Sequence, residues 1–175
     1  MTWRPPQPKV FSNDDFDAFY HLIRQRFRGE VLYEEGAADM PTLRTSPEQL
    51  PALLRYLKDE AKPSYRRLED LTAIDERARQ RRPGHDFTLI YHLLSFERRG
   101  YLRIKVPLRN HPAQGVSIVD IWPNANWYER EIFDMFGIDF RGHPDLRRIL
   151  MPESWQGHPL RKDHPSRATE MAPFT

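Results

Sequence analysis

The 175-residue chain contains no cysteine. That excludes disulfides, thiolate catalysis, thiolate zinc sites and any iron–sulfur cluster held by the chain's own thiolates. No apolar run approaches the roughly 18 residues of a membrane-spanning helix, and Met1 to Val10 (MTWRPPQPKV) lacks the apolar stretch of a secretion signal. An excess of one charge is missing as well. Twenty-seven Lys and Arg stand against 25 Asp and Glu, and a net charge of +2 is too small to imply a nucleic-acid partner. Internal repeats, low-complexity tracts, G-x-G-x-x-G, a P-loop, G-x-S-x-G and a nucleophile–base pair at family spacing are all lacking. These absences predict a soluble, cytosolic chain, one still able to dock on a membrane complex through a partner.

What the chain does have is enough apolar material for one core. It is 39% hydrophobic and 12% aromatic, and a globular chain of this size buries roughly 70% of its unfolded surface. Sixteen prolines, close to twice the usual share of about 5%, require extended stretches. A first helix opens at Ser12 or Asn13, carries Phe16, Phe19, Tyr20, Ile23 and Phe27 on one stripe, and stops at Gly29. Ser46-Pro47-Glu48-Gln49 announces a second helix over 47–60, with Pro47 at its first position and Pro51 awkwardly inside. Short strands are expected over 31–33, 42–45 and 65–73. Phe87 to Ser95 and Tyr101 to Leu108 form the clearest hairpin, with Leu102, Ile104, Val106 and Leu108 on one face. Residues 76–82 (ERARQRR) read as an exposed basic loop.

A third helix is predicted from Trp127 to Phe136, capped by Asn126 with Glu129 as capping-box partner and stopped by Gly137. The fold class expected is α+β: a mixed, largely antiparallel sheet with two helices on it, a further helix, then an extended proline-rich arm. Three regions follow from this: 1–10 disordered or extended, 11–140 a core domain, 141–175 the arm. The arm holds five of the prolines and cannot form its own core. Yet Leu146, Ile149, Leu150, Met151, Trp155, Leu160 and Phe174 are too many large apolar groups for a free tail, so it must bury them against its own domain or a partner.

Candidate chemistry is thin. His143, His158 and His164 lie in the arm without metal-ligand spacing, and structural hydrogen bonding accounts for them better than a metal site. Glu129, Glu131 and Asp134 are close enough on a helix for paired acid–base work; an ion pair from this group to Arg147 or Arg148 is the stronger reading. From Arg66 to Arg103 arginines are interleaved with acids, which argues against an RNA track.

The run from Asn126 to Pro165, NWYEREIFDMFGIDFRGHPDLRRILMPESWQGHPLRKDHP, resembles the signature of the 30-kilodalton (C) subunit of respiratory complex I. Tyr91-His92-Leu93 and Asp120-Ile121-Trp122-Pro123 add to the likeness, which covers roughly residues 10 to 165. The resemblance implies a non-catalytic, cofactor-free subunit in the hydrophilic arm of a proton-translocating NADH:quinone oxidoreductase, with FMN and the iron–sulfur clusters in other chains. It implies as partners chiefly the B and D subunits, within an arm that also includes E, F, G and I. The location implied is the cytoplasmic face of the inner membrane, reached indirectly through the complex. Glu129, Arg130, Asp134, Arg147 and Arg148 are expected to pin the third helix to the start of the arm. His143, Trp155, His158, Arg161, Lys162 and Asp163 are expected to mark the docking surface, with Glu131 and Gly137 completing the motif. The ending Arg167 to Phe174 resembles the junction of fused C and D subunits, which leaves a continuation into a D domain open. The rival readings are the homologous subunit of a membrane-bound hydrogenase or formate hydrogenlyase, and an RNA-binding module.

Overall fold

A computed structural model describes residues 13–34, 40–78, 84–109 and 112–165. The expected disordered 1–10 segment and residues 166–175 of the arm, Phe174 among them, lie outside the described residues. Among these residues, three α-helices and seven strands follow in the order α1 (Asn13–Arg26), β1 (Leu32–Tyr33), β2 (Thr42–Arg44), α2 (Leu50–Arg55), β3 (Arg67–Asp75), β4 (Phe87–Ser95), β5 (Gly100–Leu108), β6 (Gln114–Val116), α3 (Ala125–Phe136) and β7 (Asp139–Arg141). The architecture is α+β. Five strands form a mixed sheet in the order β1-β2-β5-β4-β3. Within it β1 and β2 run antiparallel, β2 and β5 run parallel with Leu43 opposite Ile104, and the short 96–99 connection returns β5 alongside β4.

The described residues divide into two compact units, one drawn from 13–70 with 91–106 and the other from 71–90 with 107–165. The division passes through β3, β4 and β5, and residues 141–165 belong to the second unit. The core of the first unit follows from the periodicities. Phe16, Phe19 and Ile23 of α1 are buried together with Leu43, Leu53, Leu54, Leu57, Leu93, Leu102 and Ile104. The Phe16 ring lies 5.1 Å from Tyr33 and the Phe19 ring 5.9 Å from Tyr65.

The second predicted helix starts later than its sequence suggested. Ser46 and Gln49 form a turn, in which the Ser46 carbonyl accepts the Leu50 N–H at 3.1 Å. The helix proper begins at Leu50, which puts Pro51 in the first turn. There its missing N–H has no intrahelical partner to lose, which removes the awkwardness of a proline inside the helix. At the other end the chain continues through Tyr56–Glu60 as a π-helical turn.

In the second unit β6 and β7 pair in parallel, with Gly115 opposite Phe140, and α3 is the connection between them. Neither strand was predicted. A Cβ at Gly115 would stand 3.1 Å from both Leu89 and Phe140, so the close approach there depends on glycine. Ile118, Ile121, Trp122, Ala125, Ile132, Met135, Phe136, Ile138 and Phe140 are buried. Residues 76–78 also depart from the basic-loop expectation. Glu76 is buried and its carboxylate accepts the Thr88 hydroxyl at 2.8 Å, while residues 79–83 lie outside the described set.

Candidate functional site

Helix α3 organises about half of what the sequence marked as motif. It begins at Ala125, two residues earlier than expected, with Asn124 as N-cap in helical conformation and no side-chain capping bond. Glu129 is therefore not half of a capping box. It is fully buried and its Oε1 accepts the Ile118 N–H at 2.8 Å. At the other end Gly137 takes the left-handed conformation, φ +69°, and donates to the Phe133 carbonyl at 2.9 Å.

The last turn of a helix leaves carbonyls without intrahelical donors, and here the following segment supplies them. His158 donates from Nδ1 to the Asp134 carbonyl at 2.9 Å, and the Leu160 N–H reaches the Met135 carbonyl at 3.0 Å. The His158 ring packs against Phe133 and fills the space where a Gly137 side chain would project.

Asp134 does the same in the opposite sense, gathering donors onto a carboxylate. Its Oδ1 accepts from Arg148 at 2.6 Å. Its Oδ2 accepts the backbone N–H groups of Ile149, Leu150 and Met151 at 3.1, 2.8 and 2.9 Å. Burial works against this charge, but the N–H bonds and the guanidinium outweigh it and hold the carboxyl below the usual carboxylate range. Arg148 extends on to the Gly157 carbonyl at 3.0 Å. Arg130, buried in the same helix, donates to the carbonyls of Arg147 and Arg148 and lies over the Trp127 ring at 5.1 Å.

A second cluster ties down the stretch after Leu160. Arg77 grips Asp163 through two nitrogens at 2.6 and 3.0 Å and pairs with the enclosed Asp75. The Lys162 N–H donates to Asp75 at 2.8 Å. The Arg77 and Arg161 guanidinium groups lie 5.1 and 5.7 Å from the Phe87 ring centroid. Burial raises the Asp75 carboxyl, yet the Arg77 bond and the two N–H donors bring it down to about 2. Asp75, Arg77 and Phe87 were not expected here. The alternation of acid and base at Asp75-x-Arg77 was the only available sign, and it resembles any exposed strand end.

Of the residues expected to matter, Glu129, Arg130, Asp134, Gly137, Arg148 and His158 are thus brought together around α3. His143 joins them, with its side chain enclosed 4.0 Å from Glu129. Arg161, Lys162 and Asp163 turn toward Asp75, Arg77 and Phe87. Glu131 is exposed. Arg147 pairs with Asp145 on the surface and contributes its carbonyl, not its charge, to the attachment. Trp155 stands apart, 6.3 Å from the His164 ring. His158, Arg161 and Asp163 therefore engage their own chain, and several large apolar side chains stay open. Trp127, Leu150 and Leu160 are 60%, 59% and 51% exposed, while Leu146, Ile149, Met151 and Trp155 are half-buried. Among the described residues no group of three His, Asp or Glu is placed to hold a metal, and no helix is long and apolar enough to cross a membrane.

Residues 43–170 match the family described as respiratory-chain NADH dehydrogenase, 30 Kd subunit. The chain belongs to this family. Its match takes in all of α3, the Asp134 turn and the Arg77–Asp163 cluster. The chain is 55% identical over 144 residues to the C/D subunit of the NADH-quinone oxidoreductase of Acidiphilium cryptum (strain JF-5), covering 81% of this chain and 24% of that protein. It is 59% identical over 139 residues to the C/D subunit from Nitrosospira multiformis (strain ATCC 25196 / NCIMB 11849 / C 71), covering 78% and 23%. The chain thus spans about a quarter of the length of these relatives. Its fold is similar to the Nqo5 trypsin-resistant fragment (1-134), with a TM-score of 0.61 and 22% identity over 73% of this chain and 98% of that one. It is also similar to a chain of the membrane-bound sulfane sulfur reductase, an archaeal respiratory membrane complex, with a TM-score of 0.71 and 21% identity over 87% and 86%.

Proposed function

We propose that this 30 Kd family member is a non-catalytic subunit of the peripheral arm of a proton-translocating NADH:quinone oxidoreductase. It supports the passage of electrons from NADH, through FMN and iron–sulfur clusters in other chains, to quinone. A chain without cysteine cannot anchor a cluster through thiolates, so its contribution is to hold neighbours at fixed separations and to keep water from them. The partners in this reading are chiefly the B and D subunits, in an arm that also contains E, F, G and I, at the cytoplasmic face of the inner membrane and attached to it only through the complex.

The observation that carries the reading is the Asp134 turn. Four donors converge on one enclosed carboxylate, and the turn so held leaves Leu150 exposed, as Leu160 and Trp127 also are. Covering one such side chain is worth about 1.5 to 3 kcal/mol, so a partner that buries all three gains a well-anchored apolar contact. Glu131, Arg147 and Trp155 lie at the border of this surface in the proposal, and the remaining motif residues fix its shape.

Affinity purification of the tagged chain from solubilised membranes tests the reading, with mass spectrometry of what accompanies it. Flavin- and cluster-bearing chains of an NADH:quinone oxidoreductase are expected. Recovery of the protein alone, or with hydrogenase chains in their place, overturns it.

A further inference from the structure

Two titratable side chains face one another at the first half of α3, and among the described residues no Lys or Arg pairs with either. Glu129 and His143 are both fully enclosed, and Oε2 of one stands 4.0 Å from Nε2 of the other. Glu129 Oε1 accepts from Ile118 and the Ser117 side chain adds a bond to the carboxyl, but Oε2 is buried with no hydrogen-bond partner. The tautomer of His143 follows from its surroundings. The Asp145 N–H points at Nδ1 at 3.0 Å, so Nδ1 accepts, and the ring proton sits on Nε2, 3.3 Å from the Asn126 carbonyl. His143 is therefore neutral in this arrangement. The other titratable group facing Glu129, Asp120 on the preceding segment, opposes a carboxylate. The nearest guanidinium on the helix, Arg130, is committed to the Arg147 and Arg148 carbonyls and to Trp127. An ionised Glu129 is thus an enclosed charge with one bare oxygen, a costly state.

We propose that Glu129 and His143 form a one-proton switch: while Glu129 is neutral, the bond from His143 to the Asn126 carbonyl keeps the segment that runs from His143 into the Asp134 turn against α3, and loss of the Glu129 proton loosens that segment. The enclosed carboxylate left behind is relieved when water enters beside it, which parts His143 from α3. Burial, the largest influence, raises the Glu129 carboxyl to about 7, which puts the change at physiological pH. The sign follows from linkage. A carboxyl whose folded value is raised stabilises the fold fully below its ordinary value of about 4.3 and loses that contribution as pH rises to about 7. The switch acts on the segment assigned above to docking, and its regulatory meaning rests on that assignment; the location of the proton does not.

The test uses the full chain, as wild type and as Glu129→Gln, across about pH 5 to 8, with carbon-detected NMR of the carboxyls and amide exchange over residues 143–151. One carboxyl is expected to titrate near neutrality and to be missing from the Gln variant. Exchange over 143–151, corrected for intrinsic base catalysis, is expected to rise about tenfold as that group ionises in the wild type only. A Glu129 that titrates in the ordinary carboxylate range, or an equal pH response in both proteins, overturns the switch. Should the Gln variant not fold, the wild-type titration decides by itself. Retention of partner chains that does not change with pH, despite a near-neutral titration, counts against the docking reading and leaves the proton on Glu129.

Discussion

Asp134 and Arg148 meet at 2.6 Å, the carboxylate fully enclosed and the guanidinium largely so. Because the second carboxylate oxygen takes three backbone donors as well, the pair closes a turn and does not merely neutralise two charges. Asp134→Asn removes the charge and replaces one acceptor by a donor facing other donors. A loss of about 3 to 5 kcal/mol is expected, read from the midpoint of denaturant unfolding. Arg148→Met should cost less, since the three N–H bonds to Asp134 survive. Equal costs for the two variants would mean that the ion pair, and not the turn, dominates.

Gly137 and Gly142 separate two effects that usually come together. Both have positive φ, +69° and +83°, but a Cβ at Gly137 would stand 2.5 Å from the His158 ring while one at Gly142 meets nothing within 4 Å. Gly142→Ala is expected to cost about 1 kcal/mol for the backbone alone. Gly137→Ala should cost clearly more, and in a His158→Ala background the difference between the two glycine sites should shrink. Thermal unfolding of the single variants and of the two double variants checks this.

Acid should unfold the second unit through Asp75 and Asp134. Both carboxyls are depressed in the fold, Asp75 to about 2, so their stabilisation is complete above the unfolded value of about 3.9 and is lost as pH falls through the folded one. For Asp75 the shift corresponds to about 2.5 kcal/mol. Asp75→Asn is expected to lower stability at neutral pH and to flatten its decline between about pH 4 and 2. A variant with the wild-type slope in that window would remove Asp75 from the account.

The docking surface makes a prediction of the opposite kind. Leu150→Ser and Leu160→Ser replace exposed side chains, so the chain's own stability should move by no more than about 0.5 kcal/mol. Retention of partner chains in a membrane pulldown should fall in both variants and more in the double. Unchanged retention, with the protein folded, would place the interface elsewhere.

Much of the frame was legible because it rests on local rules. The stripe on α1, the alternation along β5 and the glycine stop after Phe136 are each set by periodicity or by one residue's φ. The misreadings have physical causes too. Glu129 sits three residues after Asn126 and so fits a capping box, but the chain enters α3 by helical turns from 122 onward and frees Glu129 to bind Ile118 from inside. Strands β6 and β7 are three residues each and pair in parallel across a helix, so neither shows an alternation long enough to recognise. The pairing of Asp134 with Arg148 was within reach of charge and spacing. Its three backbone bonds were not, because an N–H group is the same in every residue. Likewise the apolar groups after residue 141 did announce a need for cover, but which of them the chain covers itself depends on the Arg77–Asp163 and Asp134 attachments, which link distant positions.

The Asp134 turn has an evolutionary corollary. Its carboxylate grips main-chain amides and not the side chains of Ile149, Leu150 and Met151, so these three positions can drift without loosening the loop that displays them. A lineage can retune its fit to a changing neighbour there while the backbone underneath stays put.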